Sequence, residues 1–177
     1  IAYNRLRSTR PTAVNLVWAL DQIMNEASSK NELEDMKESI VHSSLNMATD
    51  DITTNKQLGK NGAEIIHNDA GSLATVTYGT ALGVLRAASD MGKNIQVIAT
   101  ETRPVMQGSR LTAFELDHYG IDFSLIPDTA VGHLMSSGLI NRVIVGADRI
   151  LKTGHVYNKI GTYQVAALAK RHKIPFY

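Results

Sequence analysis

The sequence contains no cysteine, so none of its 177 residues can contribute a disulfide, a thiolate ligand or a thiolate nucleophile. No redox compartment follows from that absence. Charge of one sign is equally scarce. Eighteen Lys and Arg nearly cancel seventeen Asp and Glu, which leaves no large electrostatic footprint for nucleic acid. No apolar run reaches the roughly 18 residues that a membrane-spanning helix needs. No secretory signal pattern opens the chain, and cytoplasmic residence is the expectation. Internal repeats and low-complexity segments are missing as well. The Gly-Lys-Ser/Thr of a P-loop and the usual dinucleotide fingerprint do not occur, so nucleotide binding has little support. What remains is a chain of ordinary domain length that can bury one core of ordinary size.

The organisation changes near Asn61. Residues 12–66 read as helices, because Val14, Val17, Trp18, Leu20 and Ile23 repeat at helical spacing and Leu33, Met36, Ile40 and Leu45 continue a weaker pattern. Core packing is the expected role of this stripe. Ser28-Ser29-Lys30-Asn31 marks a break between two helices, with Ser29 or Asn31 as the cap. Asp50-Asp51 precedes a further helix, where carboxylates favour the positive end of the dipole.

From Gly71 onward strands and helices alternate. A helix over 80–91 leads to a strand over 95–99, a helix over 113–119 is stopped by Gly120, and Ile121–Ile126 reads as the next strand. A helix over 130–136 and a strand over 142–145 follow. This alternation predicts an α/β fold: a helical N-terminal segment, residues 1–61, and a Rossmann-like parallel sheet with flanking helices, residues 62–177.

Three segments carry chemistry. Asn141-Arg142-Val143-Ile144-Val145-Gly146 is a β-branched run ending in glycine, so it predicts a buried parallel strand that presents Asp148 at its C-terminal end. Open α/β sheets bind ligands there. A carboxylate flanked by apolar strand residues would be partly desolvated and able to exchange a proton near neutral pH. Taken alone, Asp148 is more readily a helix cap or a partner of Arg149 than a catalytic acid. Asn158-Lys159-Ile160-Gly161-Thr162 precedes an apolar helical pattern over 163–169, where Lys159 and backbone amides can hold an anion. Thr102 to Thr112 likewise follows a strand and opens a helix. The stretch 71–83, with its glycines and threonines, could cradle a phosphate through backbone amides. Two polar loops at strand ends favour a site over a cap.

The stretches RPTAVNLVWAL (10–20), GSLATVTYGTALGVL (71–85), ETRPVMQGSRLTAFEL (101–116), GADRI (146–150) and NKIGTY (158–163) together resemble the methylthioribose-1-phosphate isomerases of methionine salvage. The resemblance covers nearly the whole chain. Relatives of those enzymes are the ribose-1,5-bisphosphate isomerases and the regulatory subunits of the translation-initiation guanine nucleotide exchange factor. The resemblance implies a cofactor-free and metal-free isomerase acting on a sugar phosphate, active as a homodimer, with no nucleic-acid or membrane partner. It places Asp148 on the catalytic aspartate. Arg10, Gln107, Asn158 and Lys159 fall on substrate-binding positions. Those residue types suit the task, since a guanidinium forks onto phosphate and amides meet sugar hydroxyls. Arg10 by itself is an ordinary surface charge beside Pro11, and Gln107 and Asn158 can also serve helix-entry hydrogen bonds.

The chain departs from that family between Ile66 and Gly71, where members carry a strand ending in a catalytic cysteine. Only His67-Asn68-Asp69-Ala70 lies there. Without a gap Asn68 replaces the cysteine; with a gap a strand of about five residues and its turn is missing. The gap is the preferred reading, because otherwise the sheet lacks its first strand. The resemblance also implies a longer enzyme, with a phosphate-binding portion before Ile1 and more sheet after Tyr177.

Overall fold

A computed structural model of the protein describes residues 1–9, 14–66, 70–72 and 80–177. Arg10, His67, Asn68 and most of the candidate phosphate loop, residues 73–79, lie outside the described residues.

Helices α1 (Ala2–Thr9), α2 (Val14–Ser28) and α3 (Leu33–Ile65) come first. Helix α3 runs unbroken for 33 residues, or about 50 Å at 1.5 Å per residue. The helix start expected at Asp50-Asp51 is therefore its interior, and the two carboxylates lie exposed along it. Nor do Ser29 and Asn31 cap α3. Glu32 holds the N-cap position without a side-chain cap bond. The Ser29 hydroxyl donates instead to the Glu26 carbonyl, 2.6 Å away, so it closes α2. The apolar stripe expected to be core is only partly so. Ala27 is the one buried residue of α2, while Val14, Trp18, Leu33, Ile40 and Leu45 are exposed. Across this pair the Ser43 hydroxyl donates to the Glu26 carboxylate.

A small parallel sheet follows, in the order β1 (Ala70–Ser72), β2 (Ile95–Thr100), β3 (Phe123–Ile126). Ala70 pairs with Ile95, and Val97 with Phe123. Residues 70–72 thus stand where the sheet was expected to lack its first strand. Parallel neighbours need crossovers. These are α4 (Ala81–Asp90) between β1 and β2, and a π-helical turn (Gly108–Thr112) with α5 (Ala113–His118) between β2 and β3. The strand expected from Ile121 starts at Phe123 because Ile121 belongs to the helix stop. Gly120 sits at φ 65°, and the Ile121 amide reaches back to the Leu116 carbonyl at 3.0 Å, the signature of a Schellman motif. After β3 come a 3₁₀ turn (Asp128–Ala130) and α6 (Val131–Ser136).

Residues 143–145 form a parallel ladder with 175–177: the Val143 amide donates to Pro175, the Tyr177 amide to Val143, and the Val145 amide to Tyr177, at 2.9–3.0 Å. Between these partners stand the antiparallel hairpin β4 (Arg149–Ile150) with β5 (Val156–Tyr157), and α7 (Thr162–His172).

Two apolar clusters cover the two faces of β2. Ile95, Val97 and Ala99 pack with α4, Ala63, Ile66 and Leu116. Ile98, one position out of phase, joins Ile126 and the buried Val131, Met135, Val143, Val165 and Ala169 of α6, α7 and the last ladder. The alternation is the pleat itself, since successive side chains leave a strand on opposite faces. Helix α4 is wedged against α3: a Cβ on Gly59 would lie 2.7 Å from the Gly83 carbonyl oxygen, and one on Gly62 would lie 2.4 Å from the Val84 side chain. Gly83, expected in a phosphate cradle, thus lies in a helix contact. The result is a helix-rich α/β fold built around a small parallel sheet. Among the described residues, no helix is long and apolar enough to cross a membrane.

Candidate functional site

The hairpin β4–β5 brings together residues that are ten apart in sequence. Asp148 leaves the end of the Val143–Val145 ladder, and its backbone N–H donates to the Tyr157 carbonyl at 2.9 Å. That bond sets Asp148 beside Asn158 and Lys159. The turn that makes it possible is local: the Leu151 amide donates to His155, the Gly154 amide donates to Leu151, and Gly154 takes φ 84°, where a side chain would be strained.

Asn158 and Lys159 are half-buried at the start of α7. The Asn158 amide donates to the Thr162 hydroxyl at 3.1 Å, which fixes its orientation. Gly161, in the left-handed region at φ 96°, turns the chain into the helix. Asn158 and Lys159 line a cavity of 1410 Å³, together with Gly146 and Ala147, Thr80 and Ala81 of the α4 entry, and Gly62 and Ile65 of α3. The remaining wall is mostly apolar, supplied by Ile150, Val156, Tyr157, Ile160, Tyr163 and Phe176 among others. Among the described residues, no cluster of three or more His, Asp or Glu could hold a metal ion.

Asp148 itself is exposed, a correction to the expected desolvation. Its apolar neighbours do not close over it: Ile150 is exposed on the short hairpin. Gln107 lies on another loop and does not line the cavity. It is half-buried, the last residue before the π-helical turn. Its loop is unusual. Thr102 and Met106 both sit in the left-handed region, at φ 60° and 64°, a conformation uncommon for residues with a Cβ. The structure therefore brings the Asp148 backbone next to the 158–159 segment, but of these residues only Asn158 and Lys159 line the cavity; Asp148 and Gln107 do not.

Two contributors were missed from sequence. One is the hairpin, whose signal was the Lys152-Thr153-Gly154 turn between apolar residues. The other is Asp128. Its carboxylate accepts the Thr102 amide at 2.9 Å and the Arg103 amide at 2.7 Å, a pairing across 26 residues that leaves no local trace in sequence.

The Initiation factor 2 subunit family, IF-2B, matches residues 1–177. A curated relative, the methylthioribose-1-phosphate isomerase of Petrotoga mobilis, is 54% identical over 185 residues, covering 98% of this chain and 53% of that protein. The enzyme of the same name from Thermotoga maritima is 52% identical over 180 residues, covering 97% and 52% respectively. Both aligned spans exceed 177, so each relative carries residues without a counterpart here. The chain spans about half the length of these relatives. Among solved structures, 5-methylthioribose 1-phosphate isomerase from Pyrococcus horikoshii superposes with a TM-score of 0.87 at 38% identity, covering 99% of this chain and 52% of that one. The delta subunit of translation initiation factor eIF-2B from A. fulgidus gives 0.84 at 46% identity, covering 98% and 53%. With every residue matched, the chain belongs to the Initiation factor 2 subunit family.

Proposed function

We propose that the protein is an aldose–ketose isomerase that converts 5-methylthioribose 1-phosphate to 5-methylthioribulose 1-phosphate in methionine salvage. The observation that carries this reading is the hairpin that pairs the Asp148 backbone with Tyr157, next to the cavity-lining Asn158 and Lys159, in a chain more than half identical to relatives bearing that enzyme's name.

The chemistry asks for little more than such a group of residues. With C1 phosphorylated, the furanose ring does not open spontaneously, so an acid must protonate the ring oxygen as the C1–O bond breaks. A hydrogen then moves from C2 to C1 while the C2 hydroxyl gives up its proton and becomes the ketone. Asp148 acts as the acid in this reading, and the same carboxylate takes the C2 hydroxyl proton, closing the proton balance. No external oxidant or reductant enters, because one carbon is oxidised as its neighbour is reduced. Lys159, at the start of α7, and Arg10 hold the phosphate; Asn158 and Gln107 meet hydroxyls. At 1410 Å³ the cavity exceeds the roughly 300–1,000 Å³ of ordinary small-molecule pockets, so a sugar phosphate fills only part of it. The exposure of Asp148 calls for a cover that excludes water during turnover.

The remaining features of this reading are a Rossmann-like sheet, supported by parallel β1-β2-β3 with helices on both faces, a boundary near residue 61, a homodimer and a cytoplasmic location. Asp148→Asn in the full-length enzyme should lower turnover at least 100-fold, within the range for loss of a general acid, with the thermal midpoint and substrate affinity little changed. Near-normal production of the ketose, followed by NMR, would refute the role.

A second reading is a non-catalytic regulatory subunit. It is favoured by the absence of cysteine and by the likeness to the eIF-2B delta structure. Full-length protein that binds the sugar phosphate yet forms no ketose would establish it. Turnover of ribose 1,5-bisphosphate in preference to the methylthio sugar would point to the third relative.

A further inference from the structure

We propose that Asp128 is a positioning residue for the isomerase reaction: it clamps the strained Thr102–Gly108 loop and ties that loop to α7, so that Gln107 and the Asn158–Lys159 pair address one ligand. The inference rests on the isomerase reading above and concerns the same site.

The loop is strained at two points and tightly constrained at others. Thr102 and Met106 occupy the left-handed region. Gly108 packs so closely on the preceding strand that a Cβ there would lie 1.7 Å from the Thr100 carbonyl oxygen. The chain then enters α5 through a π-helical turn, and the Thr112 hydroxyl at its end is buried with no hydrogen-bond partner among the described residues. Strained backbone of this kind persists only where the surroundings over-determine it, and it gathers at ligand-handling segments.

Asp128 supplies the determination. One carboxylate oxygen accepts the Thr102 amide and the other accepts the Arg103 amide. Two adjacent backbone donors facing one carboxylate fix the direction of the chain as it leaves β2. The Met106 amide then returns to the Thr102 carbonyl at 2.8 Å, which sets the residue just before Gln107. The same residue faces the other half of the site: the Asp128 carbonyl accepts the Gln164 side chain of α7 at 3.3 Å, six residues beyond Asn158. A single residue on the β3–α6 turn therefore touches both the Thr102–Gly108 loop and α7, the helix that the Asn158–Lys159 segment leads into.

The test uses the full-length enzyme with 5-methylthioribose 1-phosphate. Asp128→Asn keeps one acceptor and should lower kcat/KM about 10-fold; Asp128→Ala keeps neither and should lower it about 100-fold, the scale of an ångström-sized misplacement. Amide exchange at Thr102 and Arg103 should accelerate in the same order. Because the clamp acts through Gln107, adding Gln107→Ala to Asp128→Asn should cost less than the product of the two single losses. If Asp128→Ala does not fold, Asp128→Asn alone carries the test. An active wild type with Asp128→Asn within twofold of it, or losses that multiply independently with Gln107→Ala, overturns the positioning role alone. A wild type inert towards the sugar phosphate overturns the isomerase reading and the positioning role with it.

Discussion

Along the seam between α3 and α4, glycine meets glycine: Gly59 faces the backbone of Gly83 and Gly62 faces Val84 with no room for a methyl group. The outer edge of the same seam, Gly62 and Val84 included, borders the cavity, which Ile160 and Tyr163 also line at 71% and 88% exposure. Both surfaces are apolar, but only the first is used up in packing. The seam holds the helices at a fixed separation. The cavity wall is apolar surface that the described residues leave uncovered, the mark of a binding or assembly face rather than of a core.

The contrast can be broken by comparing truncations on the two sides. Leu85→Ala, in the fully buried cluster behind the seam, should lower unfolding free energy by about 2–5 kcal/mol; urea denaturation reads it. Gly59→Ala should cost a net 0–2 kcal/mol or so, since overpacking by about 1–3 kcal/mol offsets or outweighs the roughly 1 kcal/mol of helix propensity that alanine gains over glycine. A stabilised Gly59→Ala protein would show that the seam is looser than the contact distances imply. Lys93 donates to the Ala63 and Ile66 carbonyls at the end of α3, so Lys93→Met should cost about 1 kcal/mol, read as a lowered thermal midpoint. Ile160→Ala should fall within about 0.5 kcal/mol of wild type. A loss as large as that of Leu85→Ala would mean that the cavity wall is core after all.

Much of this was legible in the sequence because local rules and tertiary structure agree there. The β-branched Ile95–Ala99 run became β2, Gly120 stopped its helix, and the apolar pattern after Gly161 became α7. The errors fall where one level overrides another. Asp50 and Asp51 look like a helix start, yet packing on α2 and then α4 carries α3 straight through them. The Val14–Ile23 stripe has helical period but little to bury it among the described residues. Of the residues proposed for the site, Asn158 and Lys159 line the cavity, and the Asp148 backbone bonds to Tyr157 beside them. The two devices that arrange the site were not visible: a hairpin of two-residue strands is too short to show alternation, and the Asp128 clamp depends on atoms 26 residues apart.

The hairpin also has a consequence for how the proposed acid and anion-holding lysine come into register. Closing a loop of about ten residues costs roughly 2 kcal/mol in chain entropy, about half the cost of closing a loop of about 100 residues. Asp148 and Lys159 therefore form a local cassette, able to meet before the sheet is complete. A change in turn length between Leu151 and His155 would alter their spacing without disturbing either apolar cluster, which makes this turn the simplest place to retune the site.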